Sequence, residues 1–210
     1  MKTRRGAGFP ISILVEGITD EVVAKRLIEH AGLALGAVYG GRGKPYLLQR
    51  LPAYNSAARF APWVTVVDLD NDATCAPAFV AQTLPRQSDL MRLRVAVRAI
   101  ESWLMADAEG LAAFLGVRTS DVPSNSDALT DPKTTLVNLA RRSRRTAIRK
   151  DMVPRDGSGA RVGPNYSGRI IEFVVGLNAP WRVDVAAEHS DSLRRCIAAL
   201  VTLRSLLASE

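Results

Sequence analysis

Acidic residues stand directly behind three apolar, strand-like runs of this chain. Glu16 follows Ile11–Val15, Asp68 and Asp70 follow Trp63–Val67, and Glu101 follows Leu93–Ile100. In a parallel sheet these side chains would collect along the carboxyl edge, where open α/β sheets bind ligands. Carboxylates gathered without a neutralising partner repel one another, and hard divalent cations with a preference for oxygen relieve that repulsion. The pattern therefore predicts Mg²⁺ (or Mn²⁺) and chemistry on phosphates. Alternate residues leaving a strand point the same way, so Asp68 and Asp70 are expected to face one ion. Gly17 beside Glu16 suits a backbone that turns tightly toward a ligand. The plainer readings are that Glu16 and Glu101 are acids favoured by helix dipoles and that Asp68, Asp70 and Asp72 form an acidic turn.

The elements that must hold these residues are legible in outline. A strand near Phe9–Val15 leads to a helix capped by Thr19, with Val23, Leu27 and Ala31 on its buried face and Gly32 at its end. A short strand is expected near Leu35–Tyr39, then a turn at Gly40–Pro45 and a helix over Tyr46–Arg59 that Pro52 must bend or break. Trp63–Val67 is continuously apolar, as a central parallel strand should be. A helix near Pro77–Leu84 precedes a strand in which Arg94 and Arg98 share one face and could meet phosphate. Helices follow near Glu101–Ala106 and Glu109–Leu115. The polar stretch 116–132 reads as a linker. Further helices are expected over Lys133–Arg149, Gly168–Gly176 and Ser192–Ala208, with a Gly-rich loop at Pro154–Tyr166. The alternation of strands and helices predicts an α/β fold with a mainly parallel, Rossmann-like sheet flanked by helices and a C-terminal helical extension. The expected division is a core over 1–116 and the extension over 117–210.

The chain has 210 residues, 47% of them apolar, and a formal net charge of +7. That size buries a substantial core, and that charge suits a polyanionic partner. The charge is uneven: Arg141, Arg142, Arg144, Arg145, Arg149 and Lys150 fall close together and suit phosphate-backbone contact, though such blocks are often only solvated. Cys75 and Cys196 have no metal-ligand spacing and fit a reducing compartment. The basic start, Met1–Arg5, precedes an apolar run too short for a signal peptide, and no run approaches a membrane span. A cytoplasmic location without membrane contact is expected. The turn at Gly40–Pro45 is not a Walker A loop, which would need glycine at Val38 and Ser or Thr at Pro45. His189-Ser190-Asp191 is too local for a triad, and Ser190 reads as a helix cap.

Glu16-Gly17 after the first strand and Asp68-Leu69-Asp70 after the third together resemble the TOPRIM domain of topoisomerases, primases and nucleases of overcoming-lysogenization-defect type. The stretches Val15–Glu21, Arg50–Asn55, Pro62-Trp63 and Arg98–Asp107 resemble small stand-alone TOPRIM-like bacterial proteins often encoded beside an ATPase. The resemblance implies a Mg²⁺-dependent nuclease cutting DNA or RNA, with an ATPase partner and a role in anti-phage defence. It makes Glu16 a general acid/base or a metal ligand, Asp68 and Asp70 catalytic metal ligands, and Glu101 a further metal ligand. Arg94, Arg98, Arg141, Arg142, Arg144 and Arg145 would hold nucleic acid. Ala73 stands where topoisomerase-type patterns carry glycine, and no catalytic tyrosine is assignable, which sets strand passage aside. Two rival expectations are a haloacid-dehalogenase-type phosphatase with Asp68 as nucleophile and a non-catalytic subunit that only binds metal or nucleic acid.

Overall fold

The computed structural model describes residues 9–176 and 180–209; the basic start at residues 1–5 lies outside them. Four strands, β1 (Ile11–Val15), β2 (Leu35–Gly40), β3 (Trp63–Asp68) and β4 (Met91–Ala96), form an all-parallel sheet in the order β2-β1-β3-β4. Residues of β1 pair with β2 from Ile11↔Leu35 to Val15↔Gly40 and with β3 from Ser12↔Trp63 to Leu14↔Thr65. The fold is thus α/β and Rossmann-like, with helices flanking the sheet and a helix closing the chain. The two inner strands are nearly all apolar and buried, whereas the edge strand β2 alternates between exposed and half-buried residues. That contrast follows from having one sheet neighbour rather than two.

The helices are α1 (Ile18–His30), α2 (Lys44–Ala57), α3 (Ala76–Thr83), α4 (Ile100–Met105), α5 (Ala108–Leu115), α6 (Pro132–Arg141), α7 (Thr146–Met152), α8 (Tyr166–Val175), α9 (Val183–His189) and α10 (Asp191–Ala208). Several departures from the sequence reading have local causes. Gly17, not Thr19, caps α1, and the Glu21 N–H donates to the Gly17 carbonyl. Pro52 lies inside α2, which runs through it unbroken. β4 stops at Ala96, so Arg98 leaves the strand and does not share a strand face with Arg94. The helix expected over Lys133–Arg149 is two helices. The buried Ser143 interrupts it, turning its hydroxyl to the carbonyl of Leu115. The expected linker contains two short 3-10 turns, Thr119–Asp121 and Ser126–Ala128. α9 had no counterpart in the sequence reading.

The chain divides into two compact units. The first comprises the described residues up to Val67, Asp72–Val95 and those from Arg195 on; the second comprises Asp68–Asn71 and Ala96–Arg194. The first unit buries β1, the inner face of α1 and, from α10, Cys196, Leu200 and Leu203. The second is built around α4, every residue of which is buried. Trp103, Leu111, Leu136, Met152, Phe173 and Trp181 fill its interior. Among the described residues no helix is long and apolar enough to cross a membrane.

Candidate functional site

In the first unit, β1 ends at Val15 and the backbone turns through Glu16 and Gly17 into α1. The glycines at the end of β2 hold this turn. Gly41 N–H donates to the Val15 carbonyl and Gly43 N–H to the Glu16 carbonyl, each at 2.9 Å. Gly40 has φ +99°, and a Cβ there would stand 2.1 Å from the Val15 carbonyl oxygen, so only glycine fits. The glycine-rich turn therefore spends two N–H groups on β1 instead of offering them to a phosphate. It positions the acidic turn. Asp20 is buried in the first turn of α1. Lys44 pairs with Asp72 at 2.6 Å and stands over the Phe79 ring, and Arg42 lies over the Tyr46 ring.

The second unit holds Asp68, Asp70 and Glu101. Asp68 is the last residue of β3 and only 8% exposed. Its Oδ1 accepts the N–H of Ile100, the first residue of α4, at 2.9 Å. Asp68 thereby satisfies an open donor at the helix start and stands one peptide away from Glu101. Asp70 is past the strand end, exposed, and held at φ +48°. Its N–H donates to the Arg98 carbonyl, and the Arg98 guanidinium donates back to the Asp70 carbonyl at 2.7 Å. Strand alternation therefore does not orient the Asp68–Asp70 pair as expected; a left-handed residue clamped to Arg98 does. A non-glycine residue in that region is uncommon and costs energy, and such outliers cluster at functional sites.

Glu101 is 2% exposed, because α4 is buried on all sides. Its Oε1 accepts the Tyr166 hydroxyl at 3.0 Å and lies 3.6 Å from Lys133 Nζ. Its Oε2 is buried and has no hydrogen-bond partner among the described residues. Burial and then the Glu101 carboxylate push the Tyr166 phenol far above its ordinary pKa, with Asp68 and Asp131 acting the same way. Tyr166 is thus a fixed neutral donor. Neither Tyr166 nor Lys133 was singled out from the sequence. Tyr166 sits at the end of a polar loop and meets Glu101 across 65 residues, with no local signal.

The expected basic residues also fall in both units. Arg94 stays on β4 in the first, beside the buried Cys196 thiol, whose pKa burial pushes up to about 11 against the opposing effect of Arg94. Arg98 serves the Asp70 turn. Arg141 ends α6, Arg142 lies 3.9 Å from Asp121, and Arg144 and Arg145 are exposed in the connection to α7.

The oxygen donor set suits a hard cation, and the buried, unpartnered Glu101 Oε2 is the kind of atom that an ion or water completes. Among the described residues no group of three His, Cys, Asp or Glu side chains is drawn together as a metal cage. Mg²⁺ does not require one, because it binds through one or two carboxylates and fills its octahedron with water and substrate phosphate. Comparison with protein-family models, curated proteins and solved structures returned no match.

Proposed function

We propose that this protein is a Mg²⁺-dependent, TOPRIM-like nuclease that hydrolyses phosphodiesters of DNA or RNA. The observation that carries the reading is the end of β3. There Asp68 is fixed to the first N–H of α4 beside Glu101, a buried carboxylate with one oxygen committed to Tyr166 and the other unpartnered.

In this reading one or two of Asp68, Asp70 and Glu101 would hold the cation, with water and substrate phosphate completing its shell. A cation held there would supply polarisation of a phosphoryl oxygen and a more acidic water. Tyr166 keeps Glu101 Oε1 occupied, which leaves Oε2 for the ion. Arg98 positions Asp70 through its backbone. The sequence resemblance gives Glu16 the acid/base role, accepting a proton from water and returning one to the leaving oxygen. An ATPase partner and a part in anti-phage defence belong to the same proposal and rest on the sequence resemblance; a cytoplasmic location rests on the cysteine usage and the short first apolar run.

The test is cleavage of single- and double-stranded DNA and of RNA with Mg²⁺, Mn²⁺ or Zn²⁺ supplied in turn. Cleavage is expected with Mg²⁺ or Mn²⁺. Glu16→Gln should lower turnover by about a hundredfold or more with little change in nucleic-acid affinity. Calorimetry should show weaker Mg²⁺ binding for Asp68→Asn and Glu101→Gln. The reading fails if no cation supports cleavage and neither substitution alters Mg²⁺ binding.

A further inference from the structure

A cavity of about 580 Å³ opens in the second unit where α6 and α7 end. Arg141, Arg149, Lys150 and Arg155 line it, against Asp156 as the lone acid. Helix dipoles account for part of this, since Arg141, Arg149 and Lys150 are in the last turns of their helices. They do not account for Arg155, which comes from the following loop. Nor do local acids cancel the charge. Asp151 is committed to Arg169 at 2.8 Å and Asp131 to Arg161 at 3.0 Å. Among the described residues Arg141, Lys150 and Arg155 form no ion pair. The Arg149 guanidinium is fixed in advance by the Ser143 carbonyl and the Thr146 hydroxyl.

Concave, preorganised cationic surface of this kind favours a compact anion over a flat duplex face. The volume lies in the range of small-ligand sites, enough for a phosphate with its sugar. The wall bears no aromatic ring on which a base could stack. Arg144 and Arg145 are exposed in the connection between α6 and α7. We propose that this cavity binds the terminal phosphate monoester of a nucleic-acid strand, whose extra negative charge separates it from internal diesters. The proposal shares with the nuclease reading the class of ligand and none of the carboxylate chemistry.

The experiment is fluorescence anisotropy on the full chain in EDTA, so that cleavage plays no part. One oligonucleotide sequence is offered with a 5′-phosphate, with a 3′-phosphate, or with hydroxyls at both ends. One phosphorylated end should bind at least about fivefold more tightly than the hydroxyl-ended strand. Arg141→Ala with Arg155→Ala should abolish the preference, and both positions are exposed, so thermal unfolding should be unchanged. Equal affinity for all ends overturns the proposal, as does a preference that survives the double variant. Inorganic pyrophosphate that binds the cavity while strand ends are ignored would make it a small-anion site and would likewise overturn it. An end preference in EDTA from a protein that cleaves with no cation, and whose Mg²⁺ binding neither Asp68→Asn nor Glu101→Gln alters, would sink the nuclease reading alone.

Discussion

At the scale of single residues, the second unit turns on a carboxylate that its surroundings have removed from water. Burying Glu101 is costly unless its oxygens are served. Tyr166 and Lys133 serve one of them. The same contact makes a prediction about pH. The Tyr166 phenol is raised by burial and by Glu101, so the folded chain keeps a proton that the unfolded chain loses near pH 10. Its contribution is complete below about pH 10 and then falls by about 1.4 kcal/mol per pH unit. Urea unfolding between pH 9 and 11.5 should therefore show a steeper loss for the wild type than for Tyr166→Phe. Parallel curves would mean that the phenol ionises alike in both states. Asp70 stands out in the sequence as a candidate acid, but its geometry is not legible there. The left-handed φ of +48° comes from its exchange with Arg98 rather than from strand alternation.

At the scale of elements, long-range polar staples decide where helices begin. Asp107 is fully buried and caps α5 by accepting the Gly110 N–H at 3.0 Å. It also accepts the backbone N–H and guanidinium of Arg182, just before α9. Removing the carboxylate leaves these donors unmet, with the exposed Glu109 3.4 Å from the Arg182 guanidinium. Asp107→Ala is expected to cost about 1–3 kcal/mol, the range for leaving buried donors unmet, since the Arg182 side chain is itself 41% exposed. Urea midpoints at constant m-value would check it, and a change under about 1 kcal/mol would contradict the staple. Asp127 acts similarly on α10, taking the Ser190 hydroxyl and the Ser192 N–H, while Ser190 caps the helix by accepting from Leu193 N–H. The cap at Ser190 could be read from its residue type; its partner Asp127 could not.

At the scale of the whole molecule, a net charge of +7 sets a long-range preference for polyanions. If nucleic acid binds through backbone phosphates, log affinity should fall linearly with log salt, by about 0.9 per contact on duplex DNA. Arg144→Ala should flatten that slope by about one contact, whereas Arg142→Ala should flatten it less because Asp121 already shares its charge. Anisotropy titrations across a salt series measure both. A slope indifferent to Arg144 would leave this connection as solvated surface.

The sequence by itself determined the α/β alternation, a mainly parallel sheet flanked by helices and the acids that follow its apolar runs. These depend on short-range patterns: the apolar run Trp63–Val67 and the buried positions Val23 and Leu27. Tertiary structure alone decided where the strands and helices break and what the acids meet. Ser143 divides one expected helix because its hydroxyl finds Leu115, 28 residues earlier. Glu101 is buried because α4 is enclosed on every side, and its donor Tyr166 arrives from 65 residues away. Periodicity and capping act within a few residues, whereas the desolvation and pairing of a charge depend on whatever the folded chain brings beside it.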